Sequence, residues 1–410
     1  MLVKTLIASL SHGYLTMLVI AVGLLAAGAH ADAFPDRGRL VIVGGALKPE
    51  HPTIYQAFLK EVPPESRVAV IPLASGVPER SGPLTVQDIQ AYADQPEMIY
   101  DTGLRHDQPE RVQTPEVASE LAGCSALWFT GGDQIRILRA MRPQQGDTDS
   151  YRSVLQVLEA GGTVGGTSAG AAMMSRWMIT GGSSSEAMLL GANEGYDVPG
   201  VGYVQGMALF GYGLIDQHFL RRGRTGRLLN AMHQLDYRFG FGVSENSAMV
   251  VDLENDRAEI IGTHGLTMFD LGAVQRQGHA WSNVRLSILS QGDSIQLNTG
   301  ERQVASGRSE RQQAQVVASK HLADSDMWDR YTVLSMVQAL AEDRGRVVIA
   351  RDDNFTYRMT ADETTRFFEA GIGEDHTLTS LDVRLDIEPM PDIEYRIAQR
   401  RAEIERDTAE

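Results

Sequence analysis

The sequence predicts an α/β sandwich built on a mostly parallel sheet covered on both faces. Three observations carry that expectation. From Arg39 to about Val251, short continuous apolar runs alternate with longer amphipathic ones. The apolar runs lack the polar alternation of a strand with one wet face. Three of them, in "VGGAL", "FTGGDQ" and "GGTSAG", end in glycine. Unbroken apolar strands need cover on each side, and intervening helices supply it while making the crossovers that parallel neighbours require. Ligand sites in such sheets gather beyond the carboxyl ends of the strands, where these glycines fall.

Taken in order, "RLVIVGGAL" reads as a buried strand and "HPTIYQAFLKEV" as the helix after it. "RVAVIPLAS" is a second strand, "TVQDIQAYADQ" a helix and "EMIYDTGL" a third strand. "SALWFTGGD" is a fourth strand, followed by helices at "QIRILRAMR" and "SYRSVLQVLEA". "GTVGGTS" is the next strand, with a helix starting near Ala169. The glycine- and serine-rich stretch from Thr180 to Gln205 reads as a long surface loop. Beyond Val251, "RAEIIGTHGLTMFDLG" and "WSNVRLSILSQGDSIQLN" read as antiparallel strands, and "GERQVASGRSERQQAQ" as a linker. "DMWDRYTVLSMVQALAEDR", "RFFEAG" and "YRIAQRRAEIERD" read as helices, with "LTSLDVRLDIEPM" a strand. The organisation expected is a leader over residues 1–31, a catalytic α/β domain over 32–280, and a C-terminal extension of mixed α and β over 281–410.

The leader rests on one early lysine, Lys4, an apolar run from Leu15 to Leu25, and Ala29-His30-Ala31, an A-x-A cleavage pattern placing the cut before Asp32. The alternative, a membrane anchor, needs a run of about 20 apolar residues. Export followed by cleavage is therefore expected, giving a secreted or periplasmic protein with no membrane attachment. Over 410 residues the formal net charge is -16, which argues against nucleic acid or anionic lipid as partner. The single cysteine, Cys124, excludes an internal disulfide, and its apolar setting reads as a small core residue ahead of a reactive thiol.

Chemistry enters at Gly166-Thr167-Ser168-Ala169-Gly170, a G-x-S-x-G pattern between an apolar strand and a helix-prone run. A nucleophile on so sharp a turn needs flanking residues without side chains. The Ala169 N–H, at a helix N-terminus, would then face a developing oxyanion. A serine hydroxyl needs a base to take its proton. His218 stands out among the histidines because it follows an apolar run and precedes four closely spaced arginines; a core histidine beside a solvated basic face is the plainer alternative. An orienting acid is available in Glu245, at the end of the apolar strand in "RFGFGVSEN".

In order and spacing, "FTGGDQ", "GTSAGA", "IDQHFLRRGRTGRL" and "GFGVSEN" resemble the motifs of the cyanophycinases, serine peptidases of the same clan as aspartyl dipeptidase. The resemblance runs from about Arg39 to Val251, and the leader and long C-terminal region are like those of the extracellular type. It implies a three-layer α/β sandwich related to class I glutamine amidotransferases, a homodimer, and hydrolysis of cyanophycin to β-Asp-Arg dipeptides. It implies Ser168 as nucleophile, His218 as base and Glu245 as orienting acid. A substrate pocket would come from Gln134, Asp216, Gln217, Arg222, Arg224 and Arg227. Arginines suit planar carboxylates, and Asp216 would suit a substrate guanidinium. Two positions depart from the pattern: Asp133 stands where a neutral Asn is expected, and "GGALKPEH" replaces an acid-rich turn.

Acyl transfer through Ser168 is the expected mechanism, with the backbone N–H groups of Ala169 and Gly132 as oxyanion donors. No metal or cofactor is called for, and no histidine has the H-E-x-x-H spacing of a zinc site. Two other readings stay open from the residues: a secreted aspartyl dipeptidase-like enzyme, and a non-catalytic peptide-binding protein on a peptidase scaffold.

Overall fold

Strands β1 (Arg39–Val43), β2 (Val68–Ile71), β3 (Ile99–Asp101), β4 (Ala126–Phe129) and β5 (Thr163–Thr167) run parallel in the spatial order β1-β5-β4-β2-β3. Strands β1, β2 and β4 send alternate side chains into two different cores. Leu40, Ile42, Leu127 and Phe129 enter one, with Leu121, Leu138, Val154 and Leu158 of the helices Pro115–Ala122, Gln134–Met141 and Asp149–Glu159. Val41, Val43, Ala126 and Trp128 enter the other, with Ile54, Phe58 and Ile89 of the helices Pro52–Leu59 and Pro78–Gln90. Two apolar faces per strand explain why the sequence runs are unbroken, and helix, sheet and helix make three layers.

These features come from a computed structural model that describes residues 34–144, 146–311, 319–342, 347–369 and 378–409. The leader expected over residues 1–31 lies outside the described residues. Pro35–Glu410 form one compact unit.

The free side of β1 is extended in antiparallel sense by β11 (Ser247–Asp252), β12 (Arg257–Gly262), β16 (Ser294–Gln296) and β17 (Glu301–Gln303). A three-stranded sheet holds β6 (Trp177–Gly181), β7 (Ala192–Glu194) and β8 (Val201–Gln205). A third sheet begins with the parallel pair β9 (Leu214–Asp216) and β10 (Phe239–Val243). It continues through β13 (Leu266–Asp270), β15 (Ala280–Leu289), β23 (Leu378–Pro389), β21 (Phe355–Thr360), β20 (Val347–Arg351) and β19 (Ser319–Asp326). The short strand β14 (Gln275–Gln277) flanks β15, β22 (Arg366–Glu369) flanks β23, and β18 (Ser309–Glu310) pairs with β22.

This third sheet bears on the division expected at residues 280 and 281, which falls at the start of β15. That strand pairs with β13 before it and β23 after it, so β15, β19, β20, β21 and β23 continue a sheet that β9 and β10 begin, while β16 and β17 extend the first sheet. The two share a core as well: Leu220, Leu228 and Met232 pack in one cluster with Trp281, Met336 and Phe355.

Three local expectations are corrected. Thr180–Gln205 is not a loop but a helix, Ser184–Leu190, between β6 and the β7–β8 pair; Ser183 caps it, accepting from the Glu186 N–H at 3.1 Å. The spacing S-x-x-E was the signal. "RFFE" is the strand β22 instead of a helix, because its aromatic pair is buried against β23, where such residues suit a pleated surface. The proposed linker contributes β17 and β18, and its residues 312–315 lie outside the described set.

Candidate active site

At the carboxyl end of β5 the chain turns directly into the helix Ala169–Ala172, and Ser168 between them has φ 55° and ψ −106°. A side chain in that region costs about 1–3 kcal/mol, so the surroundings must impose it. They do so through the motif's glycines. A Cβ on Gly166 would stand 2.4 Å from the Gly170 carbonyl oxygen, and one on Gly170 2.4 Å from that of Phe129. The turn closes only because neither exists.

His218, 7% exposed, places Nε2 at 2.9 Å from Ser168 Oγ. Its Nδ1 is 2.7 Å from Glu245 Oε1. Nδ1–H donating to the carboxylate leaves Nε2 as an acceptor facing the hydroxyl, the tautomer a general base needs. The sequence-predicted Ser168, His218 and Glu245 are thus joined in one chain of hydrogen bonds.

The three segments are registered on the end of β1. Val43 C=O accepts from the Ser168 N–H at 3.0 Å, Gly44 C=O from His218 at 2.7 Å, and Gly45 C=O from Asn246, next to Glu245, at 2.9 Å. Gly45 also underlies the imidazole: a Cβ there would fall 2.3 Å from His218 Cε1. Residue types carried part of this, in the strand-ending "VGG"; the carbonyls carried no such mark.

Gly131 lies against the elbow, where a Cβ would be 3.4 Å from Ser168 Cβ. Among the described residues neither the Gly132 nor the Ala169 N–H is spent on a backbone hydrogen bond. Ala169 follows Ser168 directly at the start of its helix, and Gly132 follows Gly131 in the adjoining turn. Asp133, the unexpected acid, caps the helix Gln134–Met141 by accepting from the Ile135 N–H at 2.9 Å, a position that favours a carboxylate.

The six residues expected to bind substrate separate into two groups. Asp216 and Arg227, 1% and 5% exposed, face each other: Arg227 Nε donates to Asp216 Oδ2 at 2.7 Å, and Nη2 donates to Oδ1. The guanidinium that Asp216 meets here belongs to Arg227 of this chain. Arg224 joins them, donating to Asp216 Oδ1 at 3.3 Å and to the Gln217 carbonyl at 2.7 Å. Gln134 donates through Nε2 to the Ile179 carbonyl at 2.9 Å, tying its helix to β6. Arg222 is exposed and makes no ion pair among the described residues, and the buried Gln217 Oε1 has no hydrogen-bond partner. Those two retain unspent polar groups.

One arginine that sequence reasoning passed over reaches the site. Arg221 Nε lies 3.2 Å from Glu245 Oε2, the oxygen turned away from His218. Its only signal was adjacency to the other arginines.

Charge and burial act together on the base. Burial, then the charges of Arg222 and Arg224, push the His218 pKa below the ordinary imidazole value, against the opposing pull of the Glu245 hydrogen bond. Around Asp216, burial alone would raise the carboxyl, and the guanidinium groups of Arg227 and Arg224 outweigh it, so the group stays below the usual carboxylate range. Cys124 is a buried core residue, and burial pushes its thiol up.

No family model matches the chain. It is 30% identical over 275 residues to a curated protein of Geminocystis herdmanii named cyanophycinase, across 64% of this chain and 95% of that one. It is 28% identical over 270 residues to a cyanophycinase of Trichormus variabilis, across 63% of this chain and 85% of the other. Among solved structures, a peptidase from an acI-B1 Actinobacterium aligns with a TM-score of 0.45 at 16% identity, covering 63% of this chain and 96% of that one.

Proposed function

Because the chain belongs to the cyanophycinase family, we propose that it is an exported serine-type peptidase that cleaves cyanophycin to β-Asp-Arg dipeptides. The observation that carries the reading is the hydrogen-bonded sequence Ser168, His218 and Glu245 at the edge of the parallel sheet, with Arg222 and Arg224 alongside.

In this reading His218 Nε2 takes the hydroxyl proton as Ser168 Oγ attacks the backbone amide carbon of the polymer. The Ala169 and Gly132 N–H groups receive the oxyanion. Glu245 holds the imidazolium that results, which then protonates the leaving amine, and water cleaves the ester by the same steps in reverse. Each repeat of the polymer carries a guanidinium, and a chain end carries a carboxylate. Arg222, exposed and without an ion pair among the described residues, suits that carboxylate. Asp216 and Arg227 serve as the support that holds Arg224 in place.

The test is product analysis after incubation with cyanophycin. β-Asp-Arg as the sole product, lost in Ser168→Ala, is the expected result. Inert polymer with rapid cleavage of α-Asp-X dipeptides would replace the reading with a dipeptidase. Polymer binding with no cleavage of either substrate would replace it with a binding protein. Export rests on the leader pattern and predicts a mature N-terminus at Asp32, read by N-terminal sequencing. No helix among the described residues is long and apolar enough to cross a membrane. Homodimer assembly is part of the proposal and is read by light scattering.

A further inference from the structure

Both oxygens of the Glu245 carboxylate are engaged: Oε1 by His218 Nδ1 at 2.7 Å and Oε2 by Arg221 Nε at 3.2 Å. Acyl transfer as described has no use for Arg221, and none of its steps needs the second carboxylate oxygen. We propose that Arg221 is a positioning residue that fixes the Glu245 carboxylate against the imidazole and limits how strongly that carboxylate draws a proton onto His218. The inference rests on the reading of His218 as base and Glu245 as its orienting acid.

The geometry is local. His218 and Arg221 leave the same turn, in which the Arg222 N–H donates to the His218 carbonyl at 3.1 Å, so the imidazole and the guanidinium approach Glu245 from one rigid piece of backbone. A carboxylate bonded only to the imidazole could rotate about its terminal torsion, which is broad for such side chains. A second bond on the other oxygen removes that freedom. The Arg221 side chain is 43% exposed and that of Glu245 16%, so the pair is partly screened by water but not lost in it.

The electrostatic consequence has a definite sign. Glu245 stabilises imidazolium, and a cation on its far oxygen reduces that stabilisation. Charged groups facing His218 are Glu245 from the β10–β11 connection and Arg222 and Arg224 from its own segment; Asp216 behind them is matched by Arg224 and Arg227. From the elbow comes the neutral Ser168 hydroxyl, and from β1 the uncharged Gly45. Arg221 therefore works in the same direction as Arg222 and Arg224, keeping His218 in its base form at lower pH.

The experiment compares kcat and KM against pH for the wild type, Arg221→Gln and Arg221→Lys on a soluble cyanophycin-derived peptide. Arg221→Gln should move the acid limb of kcat/KM upward by about half a pH unit or more, a size set by a partly screened unit charge. It should lower kcat with KM nearly unchanged, and Arg221→Lys should restore the limb. An unmoved limb overturns the proposal, as does a rise in KM alone, which would make Arg221 a substrate contact. Direct titration of His218 by NMR in Ser168→Ala, with and without Arg221→Gln, gives the same answer without turnover: an unchanged midpoint again overturns it. Failure of the triad itself is separately visible, as full activity in His218→Gln.

Discussion

Asp216 and Arg227 form a two-point ion pair with almost no solvent contact, one residue at the end of β9 and the other in the helix Thr225–Gln234. Asp216 also accepts from Arg224, while Ser184 and Gly182, in the segment after β6, hold Arg227: its N–H donates to Ser184 Oγ at 3.3 Å, and its Nη1 donates to the Gly182 carbonyl at 3.2 Å. Removing one member of a buried pair leaves the other uncompensated, at a cost of about 3–5 kcal/mol. Asp216→Asn should therefore lose that much stability by denaturant titration, and a loss below about 1 kcal/mol would contradict the assignment of a structural pair. Because the Asp216 pKa is depressed in the folded state, its contribution is present above the unfolded carboxylate value and declines as pH falls through the lower, folded one.

The triad makes its own demand. Ser168→Ala and His218→Gln should each reduce kcat by about 10⁶-fold, and Glu245→Gln, which disturbs the imidazole tautomer, by about 10⁴-fold. The double variant Ser168→Ala with His218→Gln should be no worse than either single, since the two act as a unit. Additive losses in single-turnover measurements would count against a shared step.

Activity should fall on acidification with a midpoint below the ordinary imidazole value of about 6.5. The sign follows from the base form being the working form: protonation stops catalysis, and burial with neighbouring arginines delays protonation to lower pH. A kcat/KM profile whose acid limb lies above that value would show that the Glu245 hydrogen bond dominates instead.

Gly45→Ala puts a methyl group where the His218 ring is, on a backbone with φ 100°. The imidazole must move, and displacements of this kind cost about 100-fold or more in rate. Circular dichroism should show the fold retained while kcat drops. A fully active Gly45→Ala would mean that the β1 end yields instead of the ring.

The C-terminal region supports the arginine segment. The Tyr331 N–H donates to the Leu220 carbonyl at 2.8 Å, Trp328 packs directly on Gly223 and Gly226, and Trp328 Nε1 is held by Asp352 at 2.7 Å. Trp328→Ala should raise KM by up to about 30-fold through the loosened Arg222 and Arg224, with a smaller effect on kcat. An unchanged KM in a folded variant would detach this region from substrate recognition.

What could be read from residue types and what could not divides along physical lines. Strands β1, β2 and β4 were legible because burial on both faces leaves an unbroken apolar run, and the elbow because a strained serine demands glycines at two fixed positions. The helix Ser184–Leu190 was obscured by its serine- and glycine-rich composition, although the S-x-x-E spacing that starts at its capping serine was present. "RFFE" takes strand form only through β23, a partner that no local window contains. Arg221 could not be told from its neighbours, since which of several adjacent arginines turns inward depends on where Glu245 arrives from.

The tripeptide Val43-Gly44-Gly45 has a consequence for the order in which the molecule becomes competent. Its carbonyls hold segments that lie more than a hundred residues further along the chain, so the serine, histidine and carboxylate segments share no common frame until β1 has docked. A partly folded chain with β1 displaced could keep every chemical group and still be inert. Hydrolysis by this protein is thus a readout of β1: loosening Arg39–Val43 should extinguish turnover before it melts the cores on either side of the sheet.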